Sequence, residues 1–519
     1  MKYQIFSDNE WLYPDSKITE QNRAVLYAAR GSDVCFQILT DYNFKGDEDI
    51  TFSFDCDGCD AVVYQLLTAH VTENSDAKFC TTKDYDSVKH FVTRKAPFDV
   101  YEITRPLDSG KPEAVRAAFY VRINVAFDAN VGTRDTSISI SFGGETITIP
   151  VSLKVYSVQV PPLEKSEFHM VNWIIYKSLA KQHNVEFCTK EYGNILSEYL
   201  KNEIDMRTDY LMIPRGEPIY DDQGVVIDFD FTHAEFVGNM AIQHGFKYIM
   251  GGFVARFEEW DQPDHFLLWD RKIGVTSVEG YRQLKIYFNA VRKCVERNGW
   301  GEHYMQCLVD EPQFPNSLAY RALSGICRKH IPGIVIHDPV ETTDIAGALD
   351  IWVVKQAIYE KYLETYQKLQ AMGEEMWIYT CGFPTGKTMN RVIDLPLTVS
   401  RLPMWMCYKY NCPGFLHWGY NEHNSNIRED TNFHPDDIYT YPAGNSFVVY
   451  PGDNRPWYSV RGHLQRAGAY DYELLNILGK KDKAKALAII DKICRTFDDY
   501  DPSPRLFDEV RHELLEELG

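Results

Sequence analysis

YMQCLVDEP, residues 304–312, is a short and largely apolar run that stops on two acids and a proline. Taken alone it reads as a buried strand whose last residues emerge at the surface. Two neighbouring carboxylates at the end of such a strand are costly unless they are used or well paired. The plainer reading is a solvated loop acid beside a helix start. Which reading holds depends on what fold the strand belongs to.

Seven similar runs flank it: FHMVNW (168–173), DYLMIP (209–214), FKYIMG (246–251), GIVIHD (333–338), DIWVVK (350–355), MWIYTC (376–381) and GFLHWGY (414–420). Stretches of helical period lie between them. Tyr281, Leu284, Tyr287, Phe288, Val291, Cys294 and Val295 make one helical face, which Asn298-Gly299 stops. Eight buried strands separated by helices or long loops meet the requirement of a (β/α)8 barrel. A doubly wound parallel sheet is the other arrangement open to them.

Upstream the rhythm is different. Phe119, Val121, Ile123, Val125 and Phe127 alternate with polar or small residues, as do Ile138, Ile140 and Phe142. Gly143-Gly144 then turns the chain, and Ile147, Ile149, Val151, Leu153 and Val155 return, which predicts a hairpin. Val34, Phe36 and Ile38 repeat the pattern, so this half reads as a β-sandwich. VPPLEKSE (160–167) ends the last strand. The expected organisation is multidomain: a sandwich over 1–160, a TIM-like barrel over 161–446, and a strand with a helical tail over 447–519 packed on the barrel.

Of 519 residues, 74 are acidic and 54 basic, a formal charge of −20 that opposes nucleic acid or an anionic membrane as main partner. No apolar stretch reaches the length of a membrane span. The first residues, MKYQIFSDNEWLYPDSK, lack a signal peptide's apolar segment, and twelve cysteines are too dilute for a disulfide scaffold. A cytoplasmic chain is the expectation. Cys56 and Cys59 form a lone C-x-x-C without a second pair, better explained as a turn than as a metal site. CGFPTGKT (381–388) imitates a phosphate loop, but Gly382 and Gly386 are one residue too close and Pro384 stiffens it.

In a barrel, reactive groups gather at the C-terminal strand ends. That rule adds Asn172, Trp173, His337, Asp338, Tyr379, Trp418 and Asn421 to the acid pair as candidate substrate contacts. A mouth lined by Trp, Tyr, His and Asn suits a sugar, whose apolar C–H face meets aromatic rings while its hydroxyls meet amides and imidazoles.

LVDEP (308–312), WIYTCGFP (377–384) and RLPMWMCYKYNCPGFLHWGYN (401–421) together resemble glycoside hydrolase family 123 and the wider group once labelled domain of unknown function 4091. The tail over 447–477 is similar too, with Tyr450-Pro451-Gly452 ahead of an Arg-rich helix and Asp471-Tyr472-Glu473. Members are retaining β-N-acetylgalactosaminidases with an N-terminal sandwich and a C-terminal barrel. The resemblance implies a substrate with a terminal β-linked N-acetylhexosamine on a glycan or glycoconjugate, and no metal or organic cofactor. It places the acid pair on Asp310 and Glu311. There the sugar's 2-acetamido oxygen attacks C1, Asp310 orients that group, and Glu311 serves as acid and then base. Asp310 is expected to raise the pKa of Glu311. Trp418 is the expected wall of the acetamido pocket, with Tyr379 on the same wall or donating to the acetamido oxygen. Two alternatives are a glycosidase for a sugar without the acetamido group and a non-catalytic carbohydrate-binding protein. Adjacent strand residues normally point to opposite faces, so both acids serve one substrate only if the backbone turns there.

Overall fold

The computed structural model describes residues 1–19, 22–78, 80–435 and 439–519. The chain forms two compact units. The first comprises Met1–Phe168, Cys381–Tyr410 and Gly419–Gly519, and the second His169–Thr380 and Asn411–Trp418.

The first unit is built on two sheets. The larger has seven strands, in the order Tyr3–Ser7, Asp33–Asn43, Arg116–Val125, Cys59–Val71, Phe98–Pro106, Pro456–Ser459 and Val449–Pro451. The smaller has Ala24–Arg30, Glu145–Gln159, Gly132–Phe142 and Thr51–Phe54. The expected hairpin is present, with Phe142 opposite Glu145 across the glycine pair. Its inward residues Ile138, Ile140, Ile147, Ile149, Val151 and Leu153 pack against Val34, Phe36, Ile38, Phe119, Val121 and Ile123 of the other sheet. Alternation with period two puts every second side chain into this shared core, which makes the unit a sandwich.

The tail departs from expectation, for its strands extend the sandwich's own sheet. Tyr458 pairs with Thr104 and Ser459 with Ile103, filling what would otherwise be an open edge along Phe98–Pro106. Helices Val460–Lys481, Lys483–Asp491 and Pro504–Leu518 belong to the same unit. Two motif acids are spent there on structure. Buried Asp471 binds Arg401 through two bonds of 2.6 and 3.0 Å and also Arg511 at 2.9 Å. Glu473 accepts from the Ser166 hydroxyl and the Glu167 and Phe168 N–H groups. The phosphate-loop mimic is likewise occupied, because Asn390 donates to Cys381 O and Pro384 O, and Thr385 donates to Asp76 O.

The second unit is the barrel. Its strands are β1 (His169–Asn172), β2 (Tyr210–Ile213), β3 (Tyr248–Gly251), β4 (Tyr304–Gln306), β5 (Val335–Val340), β6 (Ile351–Lys355), β7 (Glu375–Thr380) and β8 (Gly414–His417). Neighbouring strands pair in parallel, in the order β1-β8-β7-β6-β5-β4-β3-β2. Among the described residues β1 and β2 share no ladder. Asp209 bridges this seam, accepting from Met170 N–H at 3.1 Å and pairing with His169 Nδ1 at 2.7 Å. The helix Val278–Asn298 starts on the Ser277 cap and ends on Gly299 with φ of 68°, and buries Leu284, Tyr287, Phe288, Val291 and Cys294. No helix among the described residues is long and apolar enough to cross a membrane.

Candidate active site

After Gln306 the ladder of β4 gives out, and neighbouring strands hold the next residues individually. Asp338 on β5 accepts the Leu308 N–H, Leu308 O accepts the Val254 and Ala255 N–H groups, and Glu311 N–H donates to Pro339 O at 3.1 Å. Beyond it, Gln313 Nε2 donates to Glu311 O and Glu341 N–H to Pro312 O. Within this scaffold Glu311 takes a φ of +53°, in the left-handed region. Such a backbone costs a non-glycine residue about 1–3 kcal/mol and persists where the surroundings impose it. Asp310 and Glu311 thus lie beyond the end of β4, where the backbone turns and strand alternation does not apply.

The Glu311 carboxylate lies in a compact polar cluster. Tyr379 at the end of β7 donates its hydroxyl to Glu311 Oε1. Lys355, the last residue of β6 and 4% exposed at its side chain, puts Nζ 3.1 Å from the same oxygen. Lys355 also contacts the Glu341 carboxylate, just past β5. Two carboxylates thus flank one ammonium, with Asp310 within reach of its field. Asp310 keeps solvent-facing surface. Even so, the protein around its carboxyl and the like charge of Glu311 push its pKa up, Lys355 opposing and Glu341 adding to the rise. Desolvation also raises Glu341, against the pull of Lys355.

The other candidates divide. Trp173 is half-buried, packs edge-on to Phe253 at 5.5 Å, and its indole N–H finds no partner among the described residues. Trp418 is half-buried directly after β8. Asn172 is fully buried, donating to Glu203 and Thr208. His337 lies inside the barrel, where it meets Trp377 at 4.9 Å and Tyr210 at 6.1 Å, and burial lowers its pKa to about 4. Asp338 is buried against Tyr320 and Leu308, where it positions the segment before Asp310. Asn421 belongs to the first unit, fully buried and bridged to Phe447. These four are packing or positioning residues, contrary to the expectation of sugar contacts. Lys355 and Glu341 are the site residues that strand-end reasoning passes over, although a lysine closing an apolar run was a signal.

A parallel barrel carrying strained, paired acids after β4 is the arrangement of a glycosidase. The family model for the glycoside hydrolase 123 catalytic domain matches residues 173–478, and the chain belongs to glycoside hydrolase family 123. A family 123 glycoside hydrolase from Clostridium perfringens, described for glycolipid glycan hydrolysis, is similar in structure with a TM-score of 0.76 and 13% identity. That similarity covers 99% of this chain and 96% of that one. The endo-β-1,4-mannanase from Thermotoga petrophila is more distant, with a TM-score of 0.38 and 13% identity over 60% of this chain and 78% of its own. No curated protein matches the sequence.

Proposed function

We propose that this glycosidase is a retaining, exo-acting β-N-acetylhexosaminidase that prefers N-acetylgalactosamine and works by substrate assistance, without a metal or organic cofactor. The observation that carries the reading is the left-handed turn at Glu311, which frees adjacent acids from opposite faces. Asp310 accepts the acetamido N–H and offsets the charge of the oxazolinium ion. Glu311 protonates the departing oxygen and then takes a proton from water. The acetamido oxygen attacks from within the substrate, so no enzyme nucleophile is required. In keeping with this, β7 and β8 end in Tyr379-Thr380 and His417-Trp418 and present no carboxylate. Trp418 and Trp173 are the proposed sugar-facing aromatics, and the glycolipid glycans of the Clostridium relative suggest a glycoconjugate substrate. The acidic surface and dilute free thiols fit action in the cytoplasm.

A second reading has one observation in its favour. Glu341 shares Lys355 with Glu311 and could serve as nucleophile toward a sugar without the acetamido group. Hydrolysis of aryl β-glycosides of GalNAc, GlcNAc, galactose and glucose separates the two, together with inhibition by a GalNAc-thiazoline. Substrate assistance requires cleavage of acetamido sugars and strong competitive inhibition. Cleavage of galactose or glucose alone, with no thiazoline effect, would select the second reading.

A further inference from the structure

We propose that Lys355 and Glu341 form a charge relay that sets when Glu311 carries a proton. Lys355 binds Glu311 while that group is a carboxylate and rests on Glu341 once Glu311 is protonated. This rests on the reading of Glu311 as acid and base.

The ammonium of Lys355 is almost wholly enclosed and has a carboxylate on each side, Glu311 at 3.1 Å and Glu341 in contact. A buried cation needs one counter-ion to stay charged, and here two compete for it. With Asp310 beside them, three carboxyl groups share one positive charge, so the cluster favours binding one proton. In the free site Lys355 and the Tyr379 hydroxyl both contact Glu311 Oε1, and the relay assigns that proton to Asp310. Substrate reverses the demand, because Asp310 accepts the acetamido N–H most strongly, and offsets the oxazolinium charge, only as a carboxylate.

The proton then passes from the Asp310 carboxyl to the Glu311 carboxylate, and Lys355 exchanges Glu311 for Glu341. Glu311 next delivers this proton to the glycosidic oxygen as the C1–O bond breaks and the bond from the acetamido oxygen to C1 forms. Glu311 is then a carboxylate and Lys355 returns to it. When water opens the oxazolinium ion its proton goes to Glu311 and Lys355 passes again to Glu341. On product release the proton goes back to Asp310 and Lys355 to Glu311. Lys355 keeps all three of its protons throughout. Lys355 and Glu341 are therefore positioning residues that act through Glu311. Without Glu341, Lys355 would stay on Glu311 and hold it ionised when acid is needed.

Among the described residues, the groups facing Lys355 include Glu311 after β4, Glu341 after β5 and Tyr379 on β7, with Asp310 adding its field. Removing a negative neighbour and removing the positive one must move the cluster's proton affinity in opposite directions. Glu341→Gln is expected to lower the pH optimum of kcat and Lys355→Met to raise it. Glu341→Gln is also expected to steepen the dependence on leaving group, losing about 100-fold more rate on an alkyl than on a dinitrophenyl N-acetylgalactosaminide. Lys355→Arg should restore the optimum, and cooperative melting verifies that each variant folds. Should Glu341→Gln not fold, the upward shift in Lys355→Met and its reversal in Lys355→Arg decide the matter. An active, thiazoline-inhibited wild type whose variants shift the optimum the same way, or not at all, overturns the relay alone. A wild type that leaves all acetamido sugars uncut overturns the parent reading and the relay with it.

Discussion

Asp338 holds the Leu308 N–H with both carboxylate oxygens, at 2.8 and 3.1 Å, two residues ahead of Asp310. Tyr320 donates to the same carboxylate at 2.7 Å. A side chain thus does what the β4–β5 ladder no longer does, and the backbone leading into the acids is fixed by it. Asp338→Asn replaces one acceptor oxygen with a donor, at a cost of about 1–3 kcal/mol in stability. We expect kcat to fall roughly tenfold as the acids lose register. Thermal melting and steady-state kinetics check both, and a variant with wild-type values would show that the pin is dispensable.

Asp310→Asn should separate stability from activity. Asp310 is raised in the folded state, by its surroundings and by Glu311, so its ionisation opposes folding above the unfolded pKa of about 3.9. The variant is expected to melt higher at pH 7, by ~1 kcal/mol after allowing for solvent at an exposed carboxyl. Below about pH 4 the acid is protonated in both states and the gain vanishes. Activity on N-acetylgalactosaminides should drop by about 10²–10³-fold. Melting curves across this pH range would contradict us if the difference were flat.

Glu311→Gln removes the proposed acid and base. The loss on substrates with poor leaving groups should be about 10²–10⁴-fold, and smaller on activated aryl glycosides. Tyr379→Phe deletes only the hydroxyl that donates to Glu311, a charge-assisted bond worth about 1.5–3 kcal/mol in place. We expect its main effect on kcat, with KM nearly constant. A Tyr379→Phe variant altered chiefly in KM would instead make this hydroxyl a substrate contact.

Asp471→Asn tests whether that motif acid is structural. It leaves the buried guanidinium groups of Arg401 and Arg511 without their anion, which typically costs about 3–5 kcal/mol. Burial works against the Asp471 carboxylate, but Arg401 and Arg511 pull its pKa below the ordinary value. In the wild type this contribution is therefore complete above about pH 4 and is lost as the pH falls through the lower folded value. Denaturant titration at neutral pH should show the variant's large loss. Wild-type stability there would refute the assignment.

Strands of both units were legible because each leaves a pattern that local sequence carries. The sandwich strands alternate, as Ile138, Ile140 and Phe142 do, since one face of each meets the shared core. The barrel strands are continuous apolar runs, β6 being buried along its whole length. The acid pair stands out in the sequence because two carboxylates follow directly on an apolar run, although β4 itself ends at Gln306, four residues before Asp310. The remaining site residues depend on where each strand actually stops. The run GIVIHD suggests an end at Asp338, whereas β5 continues to Val340, about 7 Å further on. That displacement moves His337 into the interior and brings Glu341 to the mouth. Lys355 and Glu341 are 14 residues apart in sequence, and the parallel pairing of β5 with β6 brings them together. The tail's docking on Phe98–Pro106 is a pairing across some 350 residues, which no short window of sequence expresses.

That last pairing also orders events during synthesis. The edge strand Phe98–Pro106 leaves the ribosome long before its partner Pro456–Ser459 exists. At ordinary elongation rates the wait is on the order of 20–70 s. Throughout that interval the nascent chain exposes a strand edge in search of a neighbour, while the polypeptide of the barrel is still being made. Ribosome-bound intermediates arrested before residue 456 should therefore call on chaperones, and release of the last segment should end that dependence.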